Sequence, residues 1–119
     1  MNEEKINLVL ADICGRLPYG VITKNCRNNF DVPAHMLPDV NGIKQLIAEY
    51  DLKPYLRPIS SMTEEEYKEY RVLNDLITID GALIIDVTQI DWLNAHHFDY
   101  RGLIIMGLAL EAPEGMYSN

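Results

Sequence analysis

Two prolines four residues apart, in Lys53-Pro54-Tyr55-Leu56-Arg57-Pro58, constrain this chain more than any other feature. Each ring fixes its own φ at about −65° and pushes the residue before it, Lys53 and Arg57, out of the helical region. Leu52 to Ile59 is therefore extended, and because proline gives no N–H to a ladder, its expected place is the edge of a sheet. The next residues, Ser60-Ser61-Met62-Thr63-Glu64-Glu65-Glu66, place Thr63 and Glu66 at the spacing of a capping box, which predicts a helix running to about Asn74 with Tyr67, Tyr70 and Leu73 toward the core. An extended segment feeding a capped helix already requires both kinds of secondary structure.

The flanking sequence follows the same mixture. Asn2 caps a first helix, with Glu3 and Glu4 against the positive end of its dipole. Ile6, Val9, Leu10, Ile13, Cys14 and Leu17 recur at helical spacing on its buried face, and Gly15 and Pro18 end it. Tyr19 to Thr23 has the composition of a short strand, and Asn25 to Asn29 that of a turn. Residues 30 to 42, with Pro33, Pro38 and Gly42, are expected to be loop. Ile43 to Tyr50 fits a two-turn helix, although Leu46-Ile47 equally suits a strand.

Farther on, Leu76 to Ile79 and Ala82 to Val87 are short β-rich runs separated by Asp80-Gly81, a hairpin signal because both residues tolerate positive φ. Thr88 with Asp91 opens another helix carrying Ile90, Trp92 and Leu93. Asp99 is expected to cap a last short helix through Met106, ended by Gly107, with a loose tail from Pro113. The chain of 119 residues is thus expected to be one α+β domain, a small and mainly antiparallel sheet packed with about four short helices.

Charge and cysteine usage narrow the function classes. The formal net charge is −8. Residues 1 to 59 carry seven acidic and seven basic side chains, whereas residues 60 to 119 carry eleven and three. A field of that sign disfavours nucleic acid and anionic membrane surfaces and favours solubility or a basic partner. No apolar run approaches the about 20 residues needed to cross a bilayer, and the polar start at Met1-Asn2-Glu3-Glu4-Lys5 lacks the pattern of a secretory signal, so the cytoplasm is the expected compartment. Cys14 and Cys26 match neither a disulfide scaffold nor a zinc site. Cys14 is expected in the core, while Lys24 and Arg27 would favour a Cys26 thiolate if that segment were exposed.

No catalytic, cofactor-binding or metal-binding set emerges. His96 and His97 point about 100° apart on a helix and are expected to divide into one packed and one solvated ring; His35 stands far away in sequence. Ser60 and Ser61 precede a helix without a nucleophile elbow, and the glycines form no phosphate loop. Glu64, Glu65 and Glu66 are explained by the helix dipole and expected in solvent. Tyr55 and Arg57 on the proline-stiffened segment, and Trp92, His96, His97, Tyr100 and Arg101 near its far end, are the residues that would present a protein-binding surface. Against this stands inward packing of Tyr55, Leu56 and Trp92.

The phrases Leu17-Pro18-Tyr19-Gly20-Val21-Ile22, Lys53-Pro54-Tyr55-Leu56-Arg57-Pro58, Ser60-Ser61-Met62-Thr63-Glu64-Glu65-Glu66 and Asp91-Trp92-Leu93-Asn94-Ala95-His96-His97-Phe98-Asp99-Tyr100-Arg101-Gly102-Leu103-Ile104 resemble a family of small proteins of gut bacteria of the Bacteroides type and of their prophages and other mobile elements. The likeness extends to Gly107-Leu108-Ala109-Leu110-Glu111-Ala112-Pro113 and breaks from longer members between about Asn25 and Asp51. It implies an origin, and transfers no site residue. The leading expectation is a non-enzymatic accessory or protein-interaction protein. A metal-dependent enzyme using His96, His97 and a carboxylate comes second, and an acidic nucleic-acid mimic third.

Overall fold

The computed structural model describes residues 2–76, 78–79, 82–83 and 87–117, with side chains from 2–73 and 88–117. Helix α1 spans Glu3–Arg16, and Asn2 caps it by accepting the Lys5 N–H at 2.9 Å. Its apolar stripe buries Ile6, Val9 and Ile13, while Leu10, Cys14 and Leu17 lie at the margin. Gly15 is inside the helix; a 3₁₀ turn, Leu17–Tyr19, and Gly20 at φ 73° turn the chain out of it.

Strands β1 (Ile22–Asn25) and β2 (Phe30–Pro33) form an antiparallel hairpin pairing Asn25 with Phe30 and Ile22 with Pro33. This corrects the loop expected for residues 30 to 42. Phe30 and Asp31 are exposed, so no alternation of buried side chains marked β2, and backbone pairing along an edge holds it. Helix α2 runs Val40–Tyr50, three residues earlier than expected, because Asp39 accepts the Gly42 N–H at 2.8 Å as its cap.

Strand β3 (Leu52–Leu56) is internal, which corrects the expected edge. It pairs antiparallel with β1, Pro54 lying opposite Thr23, and parallel with β6 (Leu110–Glu111), in the sheet order β2-β1-β3-β6. Pro54 precedes Tyr55 and Leu56, the residues that pair with β6. At Arg57 the neighbour becomes the segment around Phe98: the Arg57 N–H donates to the His97 carbonyl at 2.7 Å, and the Asp99 N–H to the Arg57 carbonyl at 2.9 Å.

Helix α3 (Glu64–Leu76) starts at the capping box, with Glu66 N–H on Thr63 Oγ1 at 3.1 Å and Thr63 N–H on Glu66 Oε1 at 3.0 Å. Tyr70 and Leu73 pack inward as expected, whereas Tyr67 is 54% exposed. β4 (Thr78–Ile79) and β5 (Ala82–Leu83) pair antiparallel, Ile79 opposite Ala82; the Asp80-Gly81 turn lies outside the described residues. Helix α4 covers Val87–Ala95, so Thr88 lies within it rather than capping it.

The helix expected from Asp99 to Met106 is absent. Asp99 does cap a turn, accepting the Leu103 N–H at 2.8 Å and the Ile104 N–H at 3.0 Å, but Gly102 at φ 72° breaks the helical path at once. The tail beyond Pro113 also differs from expectation, since Tyr117 packs back onto the sheet. The architecture is α+β: helices α1 and α2 cover the four-stranded sheet through Ile6, Val9, Ile13, Ile43, Ile47, Leu52, Leu56, Leu103, Leu108 and Ala109. A second cluster, Trp92, Leu93 and Phe98 with Met62, Tyr70 and Leu73, joins α3 to α4. No helix among the described residues is long and apolar enough to cross a membrane.

Candidate functional site

The bend from β3 into α3 lines a polar concavity. Past Pro58 a 3₁₀ turn, Ile59–Ser61, leads into the Thr63 cap, and this places Glu66 directly across from Arg57. Arg57 donates from Nη2 to Glu66 Oε1 at 2.7 Å and from Nη1 to Glu66 Oε2 at 2.8 Å, a two-pronged pair whose guanidinium also lies 4.3 Å over the Phe98 ring. The Glu66 carboxyl is held down to about 2, first by the hydrogen bonds from Arg57 and then by those of Thr63, against the opposing effect of burial. This corrects the expectation of a solvated Glu66; Glu64 and Glu65 are exposed.

Around this pair opens a cleft of about 650 Å³. It is lined by Arg57, Thr63, Glu66 and His96, by Glu111 at the end of β6, and by Glu114 and Tyr117 beyond it. His96 Nδ1 is 3.3 Å from Glu66 Oε2, and its ring lies 4.1 Å from that of Trp92. Chemically the group is quiet. A carboxyl that ionises at about 2 is a weak proton acceptor near neutrality, and the Arg57 charge is already spent on it.

His97, the next residue, belongs to another environment. It takes a left-handed conformation, φ 63°, which turns its ring away from His96 and inside, where it is 7% exposed and stacks on Tyr117 at 3.6 Å. Burial and then the nearby Arg16, His96 and Arg57 charges lower its pKa to about 4, so it is neutral at ordinary pH. The two histidines thus divide as expected into one packed ring and one at the surface. Among the described residues no three His, Cys, Asp or Glu side chains gather in a way that could hold a metal ion.

Of the residues expected to form a protein-binding surface, only Arg57 and His96 come together in the cleft. Tyr55 and Trp92 are buried, the Tyr55 hydroxyl donating to Asp31 at 2.8 Å and the Trp92 indole to Glu69 at 3.0 Å. Tyr100 and Arg101 are spent internally: Arg101 donates to Asp12 Oδ1 at 2.6 Å and to the Tyr100 hydroxyl at 2.9 Å, which donates to Asn94 at 2.9 Å. The condition set for a Cys26 thiolate, an exposed segment, is not met: Cys26 is half-buried, and burial first and Asp51 next raise its pKa against the effect of Lys53 and Lys24.

Sequence reasoning missed Asp12, Arg16 and Tyr117. The first two carried a visible signal, opposite charges four residues apart bordering an apolar stripe; Tyr117 carried none.

Fold and cleft together define a small α+β protein with a polar groove beside the start of its third helix. No family model matches the chain, and comparisons with curated proteins and with solved structures give no match.

Proposed function

We propose that the chain is a non-enzymatic binding protein whose cleft receives a basic segment of a protein partner. The charge arrangement of the cleft carries this reading. Arg57 is already matched by Glu66, while Glu111 and Glu114, which line the same cleft, are exposed and, among the described residues, make no ion pair. A partner's arginine or lysine entering there would meet uncompensated negative charge in a concave surface, the condition under which ion pairing steers association. The acidic excess of residues 60 to 119 acts in the same direction.

An origin in a prophage or other mobile element belongs to the same proposal and rests on the likeness of the phrases around Pro54, Thr63 and Trp92; phage-type genes beside the coding sequence would support it. The binding reading is tested by titrating the protein with a short arginine-rich peptide and with a glutamate-rich peptide of equal length. Only the first should bind, more weakly as salt rises, and the double variant Glu111→Gln, Glu114→Gln should lose about tenfold in affinity. Equal binding by that variant, or none by the parent, overturns it.

A further inference from the structure

Tyr117 stands where the sheet would otherwise continue. The register of β1 with β3 ends at Thr23 opposite Pro54, and at the following step the Tyr117 hydroxyl lies between the two strands. It accepts the Ile22 N–H at 2.8 Å and reaches the Tyr55 carbonyl at 2.8 Å and the Ile22 carbonyl at 3.3 Å, so its single proton has two acceptors to choose from. His97 covers the face of the ring, the planes inclined by only 13°. These features form a slot with a backbone donor and backbone acceptors at its closed end and an aromatic wall along its side. Two buried polar atoms, Arg16 Nη1 and His97 Nδ1, have no hydrogen-bond partner, and both side chains are near enough to bear on each other's charge.

Little else fixes the segment that delivers Tyr117. Pro113, Glu114 and Gly115 are exposed, Gly115 sits at φ 84°, and Met116 bonds only back to Pro113 within the same turn. Among the described residues, the hold on the chain beyond Ala112 is therefore concentrated in one phenol ring.

We propose that this slot is a binding site for a phenol, that Tyr117 is its resident occupant, and that a phenol from outside takes its place when the tail lifts. The polar end demands a hydroxyl, since a plain aromatic ring would leave the Ile22 N–H and the Tyr55 carbonyl buried without partners. The His97 face demands a flat ring. The same chemistry is supplied by a small phenol or by a tyrosine in a partner peptide. This inference is independent of the charge reading of the cleft.

The test uses the full chain with p-cresol, toluene and N-acetyl-tyrosinamide as probes. With the parent protein, p-cresol should speed chymotrypsin cleavage after Tyr117, and toluene should not. In Tyr117→Ala, p-cresol should raise the melting temperature and slow hydrogen exchange at the Ile22 amide by about tenfold, the effect of one regained hydrogen bond. A matching effect from N-acetyl-tyrosinamide identifies a peptide tyrosine as an acceptable occupant, and an effect confined to p-cresol restricts the slot to small phenols. If Tyr117→Ala does not fold, Tyr117→Phe keeps the ring without the hydroxyl and should speed Ile22 exchange by a similar factor. The proposal is overturned if toluene acts as well as p-cresol, if p-cresol leaves cleavage after Tyr117 unchanged, or if Ile22 exchange in Tyr117→Phe equals that of the parent.

Discussion

Asp12 and Arg16 face each other one turn apart on α1 with both side chains fully buried, Arg16 Nε donating to Asp12 Oδ2 at 3.0 Å and Nη2 to Oδ1 at 3.1 Å. Arg16 Nη2 also reaches the Phe98 carbonyl at 2.6 Å, so this ion pair ties the helix to the strand-like segment beside β3.

Removing Asp12 strands the fully buried Arg16 charge, which costs about 3 to 5 kcal/mol, whereas removing Arg16 leaves Asp12 paired with Arg101. Asp12→Ala should therefore lower the urea midpoint sharply and Arg16→Met less so, and the double variant Asp12→Leu, Arg16→Met should be more stable than Asp12→Ala. Equilibrium unfolding of the three variants checks the order.

Acid should destabilise the protein in two windows. His97 has a folded pKa of about 4 against an ordinary value of 6.5, so the unfolded chain takes up its proton first and stability falls as the pH drops from 6.5 to about 4. Glu66, at about 2 against 4.5, contributes stability that is present above 4.5 and lost as the pH falls toward 2. Each amounts to on the order of 3 kcal/mol. His97→Asn, which tolerates the left-handed backbone, should remove the upper window alone, and Glu66→Gln the lower, in stability measured against pH.

The alkaline limb should come from the tyrosines. Tyr55 and Tyr117 are both pushed up to about 12, chiefly by burial. Their contribution is present below the usual value of 10 and lost as the pH rises through about 12. Absorbance titration of Tyr117→Phe should show one fewer late-ionising phenol than the parent.

Two glycines should respond differently to alanine. At Gly102 a Cβ meets nothing within 4 Å, so only its φ of 72° resists, at about 1 kcal/mol. At Gly42 a Cβ would lie 2.6 Å from Pro38 Cγ, so the first turn of α2 must shift. Gly42→Ala should therefore also perturb the Asp39 cap, visible as faster exchange of the residue 42 amide, while Gly102→Ala changes the melting temperature alone.

What could be read from the residues was what neighbours decide among themselves. The Thr63 and Glu66 box, the Asn2 cap and the α1 stripe involve partners three or four positions apart, and each forms as expected. The status of β3 was illegible because its place inside the sheet depends on Leu110 and Glu111, more than fifty positions later, a pair without any strand pattern of its own. Phe30 to Pro33 hid for the related reason that an edge strand needs only backbone pairing. In the cleft, Arg57 and His96 could be singled out by type, but Glu66 was assigned wholly to its helix, since a capping residue gives no hint of a second partner across a bend.

The internal position of β3 has a bearing on biosynthesis. Both β6 and the Phe98 segment flank it, and both are made only after α4, as is the tyrosine that seals its seam with β1. A nascent chain still attached to the ribosome can form α1 and the first hairpin, but its central strand must wait with bare backbone until the closing stretch emerges.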